Sequence, residues 1–419
     1  MSAPLRLTRP LPAWERRALR AFDLSLALTV LTLAAPALLA LELAARRSPF
    51  RCRVELPRGA WRYAFGARSW VPSWLCALPL WFAVAAGRWS AVGGGSWREG
   101  RPVSPPLLPG VVSLAEVRGL NGLARTSRAA LDREQAARWG VKSYLGLLLR
   151  SLPLLILGEG PSAQQGRVDV QGLPLENASL KSLLALILRA ARSRQRWWAC
   201  FVNADCVNLA RGDRDYRACL RRCDALLPDG IGVRLAARLS GQRMAENLVG
   251  TDVFPELSEL SAQRGLRIYL LGSKPGVAAE AVRRMEREHP GACFVGARDG
   301  YFQRGGAEED AVVAEINAAR PDVLLVGFGA PLQERWLERV GPRLEAPVLL
   351  GVGGLFDYYA GVVPRAPLWV RELGLEWAFR LAQEPARLWR RYVLGNPRFL
   401  LATARDLLTR RPLAQPEVA

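Results

Sequence analysis

Three glycine-containing turns each follow a run of apolar residues, and turns of this kind can bind phosphate. They are Leu271-Gly-Ser-Lys-Pro-Gly276, Gly327-Phe-Gly-Ala-Pro-Leu-Gln-Glu334 and Gly351-Val-Gly-Gly354. Any one of them alone is more often a tight connection without a ligand. Backbone N–H groups at a helix N-terminus bind phosphate, and open α/β sheets bind ligands where their strands end. Together the turns predict a phosphorylated, nucleotide-like ligand near the backbone of Gly272 and Gly329 and within reach of Gln333.

A carboxylate that could act as a base lies in the segment Leu227-Pro-Asp-Gly-Ile231. Pro-Asp-Gly is a frequent turn sequence, so a purely structural role is the commoner meaning of this pattern. The functional interpretation is that Asp229 sits on a tight turn beside the nucleotide site and acts as a general base. The pattern alone leaves both interpretations open.

The composition removes several kinds of catalytic chemistry. The chain has one histidine, His289, and seven cysteines without a C-x-x-C pair, which is too few ligands for a zinc site. Triads built on histidine lose their most useful side chain. Asp213-Arg-Asp215 has the form of a metal-binding D-x-D, but it lies in a polar, basic stretch and is interpreted as a solvated helix start. We therefore predict no metal, no cofactor, and reduced, mostly buried thiols that suit the cytoplasm.

The elements that must position these residues alternate between strand and helix after about residue 166. Strands are predicted at Trp197–Asn203, Arg267–Gly272, Ala292–Val295, Val323–Gly327 and Val348–Val352, and helices at Val277–Glu288, Glu308–Ala319 and Leu332–Leu344. Apolar strands that alternate with helices indicate a mostly parallel sheet covered on both faces. We therefore predict an α/β, Rossmann-like fold for this part of the chain.

The chain of 419 residues has a net charge of +20, and the excess lies at its two ends. Residues 1–165 hold 22 basic and 9 acidic residues and are also the most apolar part, which favours an anionic membrane surface over nucleic acid. Residues 24–41 carry no charge and are interrupted by Pro36. This broken apolar helix either enters the membrane and returns to the cytoplasmic face or spans it with a kink.

The C-terminal section combines arginines with aromatic residues in a helical pattern. Arg380, Arg387 and Arg390 are seven and three residues apart and share a helical face if the helix is continuous, whereas a break at Pro385 would separate them. Arg391 follows directly. A solvated basic face is the usual meaning of such a run. The interleaved tryptophan and tyrosine residues instead favour a membrane surface, or a diphosphate lying on it.

We predict three parts in the chain, with a boundary in the polar stretch 158–165. Residues 1–160 form a mainly helical, membrane-associated domain, residues 166–367 form the α/β domain, and residues 368–411 form a helical appendage that binds membrane or acceptor.

Residues 166–403 resemble the WecG/TagA/CpsF family, glycosyltransferase family 26. The resemblance is carried by Leu227-Pro-Asp-Gly-Ile-Gly232, Gly250-Thr-Asp252, Leu271-Gly-Ser-Lys-Pro-Gly276, Gly300-Tyr-Phe302, Gly327-Phe-Gly-Ala-Pro-Leu-Gln-Glu334, Arg365-Ala-Pro-Leu-Trp369, Leu375-Glu-Trp377 and Arg380-Leu-Ala-Gln-Glu-Pro-Ala-Arg387. It implies an inverting, metal-independent enzyme that moves a sugar from a UDP-sugar to a polyprenyl-diphosphate-linked sugar in cell-surface or exopolysaccharide synthesis.

The same resemblance assigns roles to individual residues. Asp229 becomes the catalytic base and Gln333 a substrate contact. Asn203 matches an asparagine of the family's T-x-N motif, and the family's C-terminal arginines fall on Arg380, Arg387 and Arg390. The sequence departs from the family pattern at Phe201, where the family has threonine, and at Asn247, where it has arginine. Both positions lie near the sugar and phosphates in the family, which leaves the donor sugar open.

The N-terminal part resembles the bacterial sugar transferases, which are membrane phosphoglycosyl transferases. The resemblance rests on Arg16-Arg-Ala-Leu-Arg-Ala-Phe-Asp23, Leu78-Pro-Leu-Trp81, Pro109-Gly-Val-Val-Ser-Leu-Ala-Glu-Val-Arg-Gly119 and Leu152-Pro153. That family works through an adjacent Asp-Glu pair, but between Glu42 and Glu99 this chain has only Glu55. Because a covalent phosphosugar intermediate needs a carboxylate nucleophile, we interpret this half as an inactive membrane platform.

The leading hypothesis is a glycosyltransferase at the cytoplasmic face of the bacterial inner membrane. Its predicted partners are a UDP-sugar, a polyprenyl-diphosphate-linked sugar and the membrane surface, with no nucleic acid, and a homo-oligomer is left open. A bifunctional enzyme that is also a phosphoglycosyl transferase is the first alternative, and the missing acidic pair opposes it. A non-catalytic scaffold of a polysaccharide assembly complex is the second, and the retained Asp229, Gln333 and arginines oppose it.

Overall fold

The computed structural model describes residues 11–47, 53–56, 60–63, 77–99, 102–103, 105–120, 123, 126–157, 166–242 and 244–409. The chain divides into two compact units. The first holds the chain up to Pro161 together with Leu368–Glu376, and the second holds Ser162–Pro367 together with the chain from Trp377 onward. The predicted boundary at 158–165 falls on residues outside the described ranges.

The first unit is mainly helical and contains two small sheets. Its helices are α1 (Ala13–Arg47), α2 (Leu80–Ala85), α3 (Leu114–Leu120), α4 (Arg128–Ala137), α5 (Val141–Arg150) and α6 (Leu152–Leu157), with a 3₁₀ turn at Ser96–Glu99. Strands β1 (Arg53–Leu56) and β2 (Ala60–Tyr63) pair antiparallel, whereas β3 (Ser90–Val92) and β4 (Gly110–Val112) pair parallel.

Helix α1 is the one helix of the described residues that is long and apolar enough to cross a membrane, and this stretch is Ala13–Ala40. Most of its apolar side chains are exposed, among them Leu28, Leu33 and Leu39. The helix continues through Pro36, so the predicted interruption at that residue is wrong. A proline inside a helix removes one backbone hydrogen bond, and here the remaining bonds hold the helix together.

Buried carboxylates tie the elements of the first unit to each other. Asp23 of α1 accepts from the Ala91 N–H of β3 at 2.7 Å and from the Tyr144 hydroxyl of α5 at 2.7 Å. Asp132 of α4 accepts from the backbone N–H of Gly95 at 2.7 Å and of Ser96 at 3.0 Å. These carboxylates therefore give partners to backbone N–H groups of β3 and of the start of the 3₁₀ turn.

A late segment of the chain completes the first unit. Glu372, in the short helix Leu368–Glu372, is 0% exposed and accepts from Arg118 of α3 at 3.0 Å and from Arg150 of α5 at 2.6 Å. A fully buried carboxylate is tolerated because two guanidinium groups neutralise it, and removing them would leave an unpaired buried charge.

The second unit is built on one eight-stranded sheet. Its strands are β5 (Arg167–Val170), β6 (Leu173–Glu176), β7 (Trp197–Val202), β8 (Ala225–Pro228), β9 (Arg267–Gly272), β10 (Cys293–Arg298), β11 (Val323–Gly327) and β12 (Val348–Gly351). Their order is β10-β9-β11-β12-β7-β8-β6-β5, and every neighbouring pair is parallel except β5 with β6. The carboxyl ends of the seven parallel strands therefore meet at one edge.

Helices cover both faces of this sheet. They are α7 (Leu180–Ser193), α8 (Ala204–Gly212), α9 (Arg214–Arg222), α10 (Ile231–Leu239), α11 (Gly250–Arg264), α12 (Val277–Glu288), α13 (Ala307–Ala319), α14 (Leu332–Val340) and α15 (Leu355–Tyr359), with a 3₁₀ turn at Gly341–Arg343. Along β11, Val323 and Leu325 join the core on one face, whereas Leu324 and Val326 join the core on the other. The uninterrupted apolar strand sequence follows from this two-sided burial.

The last part of the chain is helical. It comprises α16 (Leu368–Glu372), α17 (Glu376–Gln383), α18 (Pro385–Trp389), a π-helical turn at Arg390–Leu394, and α19 (Gly395–Thr409). Helix α19 is fixed to the second unit, since Phe399 is buried in its core and Asn208 of α8 donates to the Gly395 carbonyl at 2.8 Å. Residues 410 and 411 of the predicted appendage lie outside the described ranges.

The predicted fold class is confirmed: the protein is α/β, with a mostly parallel sheet and an apolar N-terminal helix. Helix α12 has the predicted bounds. The predicted strand Ala292–Val295 extends to Arg298, and the helix expected to end at Leu344 ends at Val340 in a 3₁₀ turn. Strands β5, β6 and β8 were not expected from the sequence. Each has four residues, which is too short for a periodic pattern to stand out.

Candidate active site

Five of the site residues expected from the sequence lie at the carboxyl edge of the parallel sheet. Asn203 follows β7, and Asp229 follows the neighbouring strand β8. Gly272 ends β9, and Gly329 and Gln333 follow β11. Strands of a parallel sheet bring such residues to one edge, although they are far apart in sequence.

Two successive backbone N–H groups hold the turn that carries Asp229. The Asp229 N–H donates to the Val202 carbonyl of β7 at 2.9 Å. Gly230 has φ +88°, which favours glycine, and its N–H donates to Asn247 Oδ1 at 2.9 Å. Helix α10 begins at the next residue. The sequence Pro-Asp-Gly thus forms a strand-to-helix turn that fixes the carboxylate at the sheet edge.

Opposing influences act on the half-buried Asp229 carboxyl group. Burial is the largest and raises its pKa above the ordinary value, and the negative charge of Asp252 acts in the same direction. A hydrogen bond with Asn203 and the positive charges of Arg391 and Arg380 lower the pKa, but the net shift is upward. A carboxylate with a raised pKa is a stronger base than an exposed aspartate, which suits proton removal from a hydroxyl.

Asn203 connects the Asp229 carboxylate to the start of helix α8. Its Oδ1 accepts from the backbone N–H of Asp205 at 3.1 Å and of Cys206 at 3.2 Å, which caps the helix. Because Oδ1 is committed to the helix, the amide nitrogen is the group that remains for Asp229. Asn203 therefore orients the carboxylate from a rigid helix terminus.

Two arginines of the C-terminal helices act on Asp229, and one of them was not among the expected binding residues. Arg380 places its guanidinium 5.1 Å from the centre of the Tyr358 ring, beside Gly354 of the third glycine turn. Arg391 pairs with Asp205 of α8 at 3.2 Å. Sequence reasoning grouped Arg391 with the arginines that favour a membrane surface or a diphosphate lying on it, and did not name it as a site residue. It missed the π-helical turn, which rotates Arg391 to face the site.

The other two expected arginines have different partners. Arg387 is 60% exposed and pairs with Glu384, one helical turn away, at 2.8 Å. Arg390 lies over the Trp389 ring at 5.5 Å. The seven-and-three spacing predicts a shared face only for a continuous α-helix, and the helix is interrupted at Glu384 and again at Arg390–Leu394. The condition for a shared face of Arg380, Arg387 and Arg390, a continuous α-helix, is therefore not met.

Glycine is required where the turns after β9 and β11 approach each other. A Cβ on Gly272 would lie 2.5 Å from the Gly327 carbonyl oxygen, and Gly272 has φ +144°. The Ser273 N–H donates to that same carbonyl at 3.1 Å. The first two glycine turns thus contact each other directly through backbone atoms.

Gln333 links the second glycine turn to the third. It is 2% exposed, and its Oε1 accepts from Gly353 N–H at 2.8 Å and from Gly329 N–H at 3.3 Å. Its Nε2 donates to the buried carboxylate of Glu334 at 2.8 Å. All three bonds are internal, so the side chain holds the two turns in place beneath the surface of the site.

The ion pair between Arg365 and Asp252 acts on Asp229. Both residues belong to motifs of the family resemblance, but the sequence assigned neither of them a role. Arg365 donates to Asp252 Oδ1 at 2.7 Å and to Thr251 Oγ1 at 3.0 Å. Asp252 is buried, and its charge raises the pKa of Asp229. The signal in the sequence was the pairing of a Gly-Thr-Asp segment with a later Arg-Ala-Pro segment, which only the fold brings together.

The two departures from the family pattern have defined positions. The side chain of Phe201 is buried in the core, and a Cβ on Gly250 would lie 3.6 Å from its ring. Asn247 holds the Gly230 N–H, as described above. Asn247 therefore supplies no positive charge where the resembled family has an arginine.

The D-x-D segment is used for structure. Asp213 caps helix α9 by accepting from the Tyr216 N–H at 2.9 Å, and it pairs with Arg335 at 2.5 Å. The interpretation of this segment as a helix start is confirmed. Within the described ranges, the structure has no group of three or more histidine, cysteine, aspartate or glutamate side chains that could hold a metal ion.

The carboxyl edge of the parallel sheet carries a half-buried carboxylate, two arginines and glycine turns, which are features that suit a nucleotide-sugar transferase site. Residues 168–413 match the glycosyl transferase WecG/TagA/CpsF family. Because the match covers more than half of the chain, the protein belongs to this family and is a glycosyltransferase.

The chain is similar to named members of the family. It is 36% identical to the N-acetylglucosaminyldiphosphoundecaprenol N-acetyl-beta-D-mannosaminyltransferase of Bacillus subtilis (strain 168) over 205 residues, 49% of this chain and 78% of that protein. It is 27% identical to the protein of the same name from Staphylococcus aureus (strain MW2) over 226 residues, 54% of this chain and 87% of that protein.

Proposed function

We propose that this glycosyltransferase moves a sugar from a UDP-sugar to a polyprenyl-diphosphate-linked sugar, in the synthesis of a bacterial cell-surface polymer or exopolysaccharide. The observation that carries the proposal is the position of Asp229, a carboxylate of raised pKa under the charges of Arg380 and Arg391. The names of the relatives support a diphosphate-linked N-acetylglucosamine acceptor.

In the proposed reaction Asp229 takes the proton from the acceptor hydroxyl. The hydroxyl oxygen bonds to the anomeric carbon of the donor while the bond from that carbon to the UDP oxygen breaks. Attack from the side opposite to UDP inverts the anomeric centre. Asn203 keeps the carboxylate oriented, and a general base of this kind typically contributes roughly 10²–10⁴-fold to the rate.

The departing UDP gains negative charge on its diphosphate, and the site offers two sources of compensation. Arg380 and Arg391 supply full positive charges, and the N–H groups of the glycine turns supply dipoles. Together these groups do what a divalent ion does in other transferases, so we propose a reaction that does not depend on a metal.

We propose that the first unit attaches the enzyme to the cytoplasmic face of the membrane. Its support is the exposed apolar surface of α1 and the excess of basic residues. The buried acids Asp23, Asp132 and Glu116 are each held by internal bonds, with Glu116 lying 3.0 Å from Arg98. A carboxylate engaged in this way does not act as a free nucleophile, which favours an inactive platform over a second transferase.

The C-terminal helices form a second proposed attachment. Exposed apolar side chains occur at Trp389, Val393, Leu394, Leu401 and Leu408, close to several arginines. Apolar side chains that insert at the interface and arginines that pair with anionic headgroups add to the binding of α1.

A UDP-release screen across UDP-sugars, with a polyprenyl-diphosphate-linked N-acetylglucosamine acceptor, tests the proposal. Full-length protein in vesicles should release UDP only when donor and acceptor are both present. Asp229→Asn should lose that activity. The matched control Asp310→Asn, at an exposed carboxylate paired with Arg343, should keep it. Acceptor-independent release, or an unchanged rate for Asp229→Asn, would contradict the mechanism.

A further inference from the structure

Glu334 is a buried acid to which the proposed reaction gives no role. It is 0% exposed and lies in the first turn of α14. Its Oε1 accepts from Gln333 Nε2 at 2.8 Å, and its Oε2 has no hydrogen-bond partner. A buried carboxylate with one unpaired oxygen is costly, so its presence calls for a physical explanation.

We propose that Glu334 is a positioning residue that fixes the orientation of the Gln333 amide, and through it the glycine turns after β11 and β12. This inference rests on the proposed function, because those turns would face the UDP diphosphate.

The argument begins with the donors around Gln333. The N–H groups of Gly329 and Gly353 both point at its Oε1, so the amide must present oxygen to the turns and nitrogen to Glu334. Rotating the amide by half a turn would set its NH₂ against two N–H donors and its oxygen against a carboxylate. An ionised Glu334 therefore favours one of the two orientations.

Protonation of Glu334 removes this preference. A carboxylic acid can donate as well as accept, so it can bond to either end of the amide. Burial raises the pKa of Glu334 to about 7, which places the change of state near neutral pH. The ionised form, above that pH, should hold the turns most firmly.

The groups that face Glu334 do not supply a counter-charge. They are the hydroxyl of Tyr216 and the thiols of Cys200, Cys206, Cys219 and Cys223, from β7, α8, α9 and the residue after α9. Burial raises the pKa of every one of them, so they are neutral at the pH where Glu334 titrates. Gln333 and the Tyr216 hydroxyl are the neutral side chains that lower the pKa of Glu334, and of the two only Gln333 also contacts the glycine turns.

The test compares Glu334→Gln with the wild type. Glutamine keeps the volume and hydrogen-bonding capacity of the side chain but does not titrate. Glu338→Gln is the matched control, one turn further along α14, where the carboxylate is partly exposed and pairs with Arg222. The first readout is hydrogen exchange of the peptides that contain Gly329 and Gly353, which needs no substrate.

We expect faster exchange of both peptides in Glu334→Gln at pH 8 and unchanged exchange in Glu338→Gln. The second readout is kcat/KM for the donor against pH. The ratio of wild type to Glu334→Gln should rise from about one at pH 6 to about tenfold at pH 8, because a hydrogen bond to a charged group is lost only where Glu334 is ionised. Titration of Asp229 affects both proteins and cancels in the ratio.

Equal exchange in wild type and Glu334→Gln, or a ratio that does not change with pH, would overturn the proposal. If no UDP-sugar is turned over, the proposed function fails and the exchange experiment still decides the role of Glu334. If Glu334→Gln does not fold, exchange in the wild type at pH 6 and pH 8 replaces it, corrected for the intrinsic pH dependence. Equal corrected protection at the two values would then refute the role.

Discussion

Replacement of Arg391 by methionine tests which arginines bind at the site, because the structure and the family resemblance select different ones. The resemblance selects Arg380, Arg387 and Arg390, whereas the structure directs Arg380 and Arg391 toward Asp229. Arg391→Met should therefore impair the reaction, and Arg387→Met should not. Methionine keeps much of the length of the arginine stem, so packing changes little.

The expected magnitude follows from the contacts of each arginine. A hydrogen bond to a charged group contributes roughly 1.5–3 kcal/mol, which corresponds to about 10- to 150-fold in kcat/KM. Arg387 is largely exposed and pairs only with Glu384. An exposed ion pair contributes about 0–1 kcal/mol to stability, so Arg387→Met should alter activity less than about fivefold.

The pH dependence of activity gives a second, independent test of the role of Arg391. The charge of Arg391 lowers the pKa of Asp229, so its removal should raise that pKa further. A base whose pKa is raised becomes ionised at a higher pH. The acidic limb of the pH profile of Arg391→Met should therefore shift to higher pH. At a pH well above this limb Asp229 is ionised in both proteins, so the remaining loss of kcat/KM reports diphosphate binding alone.

The assay is UDP release at saturating acceptor from pH 5 to 9, with donor concentration varied at each pH. Asp205→Asn is the control, because it removes the ion pair with Arg391 but leaves the arginine in place. If Asp205→Asn loses as much activity as Arg391→Met, the arginine acts only through Asp205. Equal activity of Arg391→Met and Arg387→Met would refute the reasoning from the structure altogether.

Three further predictions concern the metal, the first unit and the glycine turns. EDTA should leave UDP release unchanged, and loss of activity that Mg²⁺ or Mn²⁺ restores would contradict the assignment of the diphosphate to the arginines. Deletion of residues 1–160 should reduce sedimentation with anionic vesicles but preserve turnover of a short soluble acceptor. Loss of that turnover in a folded protein would place chemistry in the first unit. Gly272→Ala should lower the free energy of unfolding by about 2 kcal/mol or more in a urea titration, because the new Cβ meets the Gly327 carbonyl, whereas Gly146→Ala, inside a helix, should stabilise by up to about 1 kcal/mol.

The sequence predicted the parallel sheet because its strands are buried on both faces and therefore appear as continuous apolar runs. Strand β11 and helix α12 have the expected bounds for this reason. Strand β8 was missed, since four residues that end in proline resemble the turn that follows them. The interruption expected at Pro36 was wrong, since helix α1 continues through this residue although a proline removes a backbone hydrogen bond and crowds the preceding turn.

The candidate site could be predicted in part. Asp229 and Asn203 stay the predicted base and its neighbour, and the fold places them on adjacent strands. The orientation of the arginines could not be predicted, because a π-helical turn adds rotation that ordinary helical spacing does not contain. The partners of Gln333 were also hidden, since glycine N–H groups carry no side-chain signal.

The assignment of Leu368–Glu376 to the first unit has a consequence for synthesis on the ribosome. Arg118 and Arg150 emerge early, but their buried partner Glu372 follows after roughly 200 further residues. At about 5–20 residues per second, this delay is about 10–40 s. During that time the second unit is being translated while the first lacks one of its helices. The nascent chain therefore completes its first-made unit only after most of the second unit has been translated. A ribosome that stalls before codon 372 leaves Arg118 and Arg150 without the buried carboxylate of Glu372.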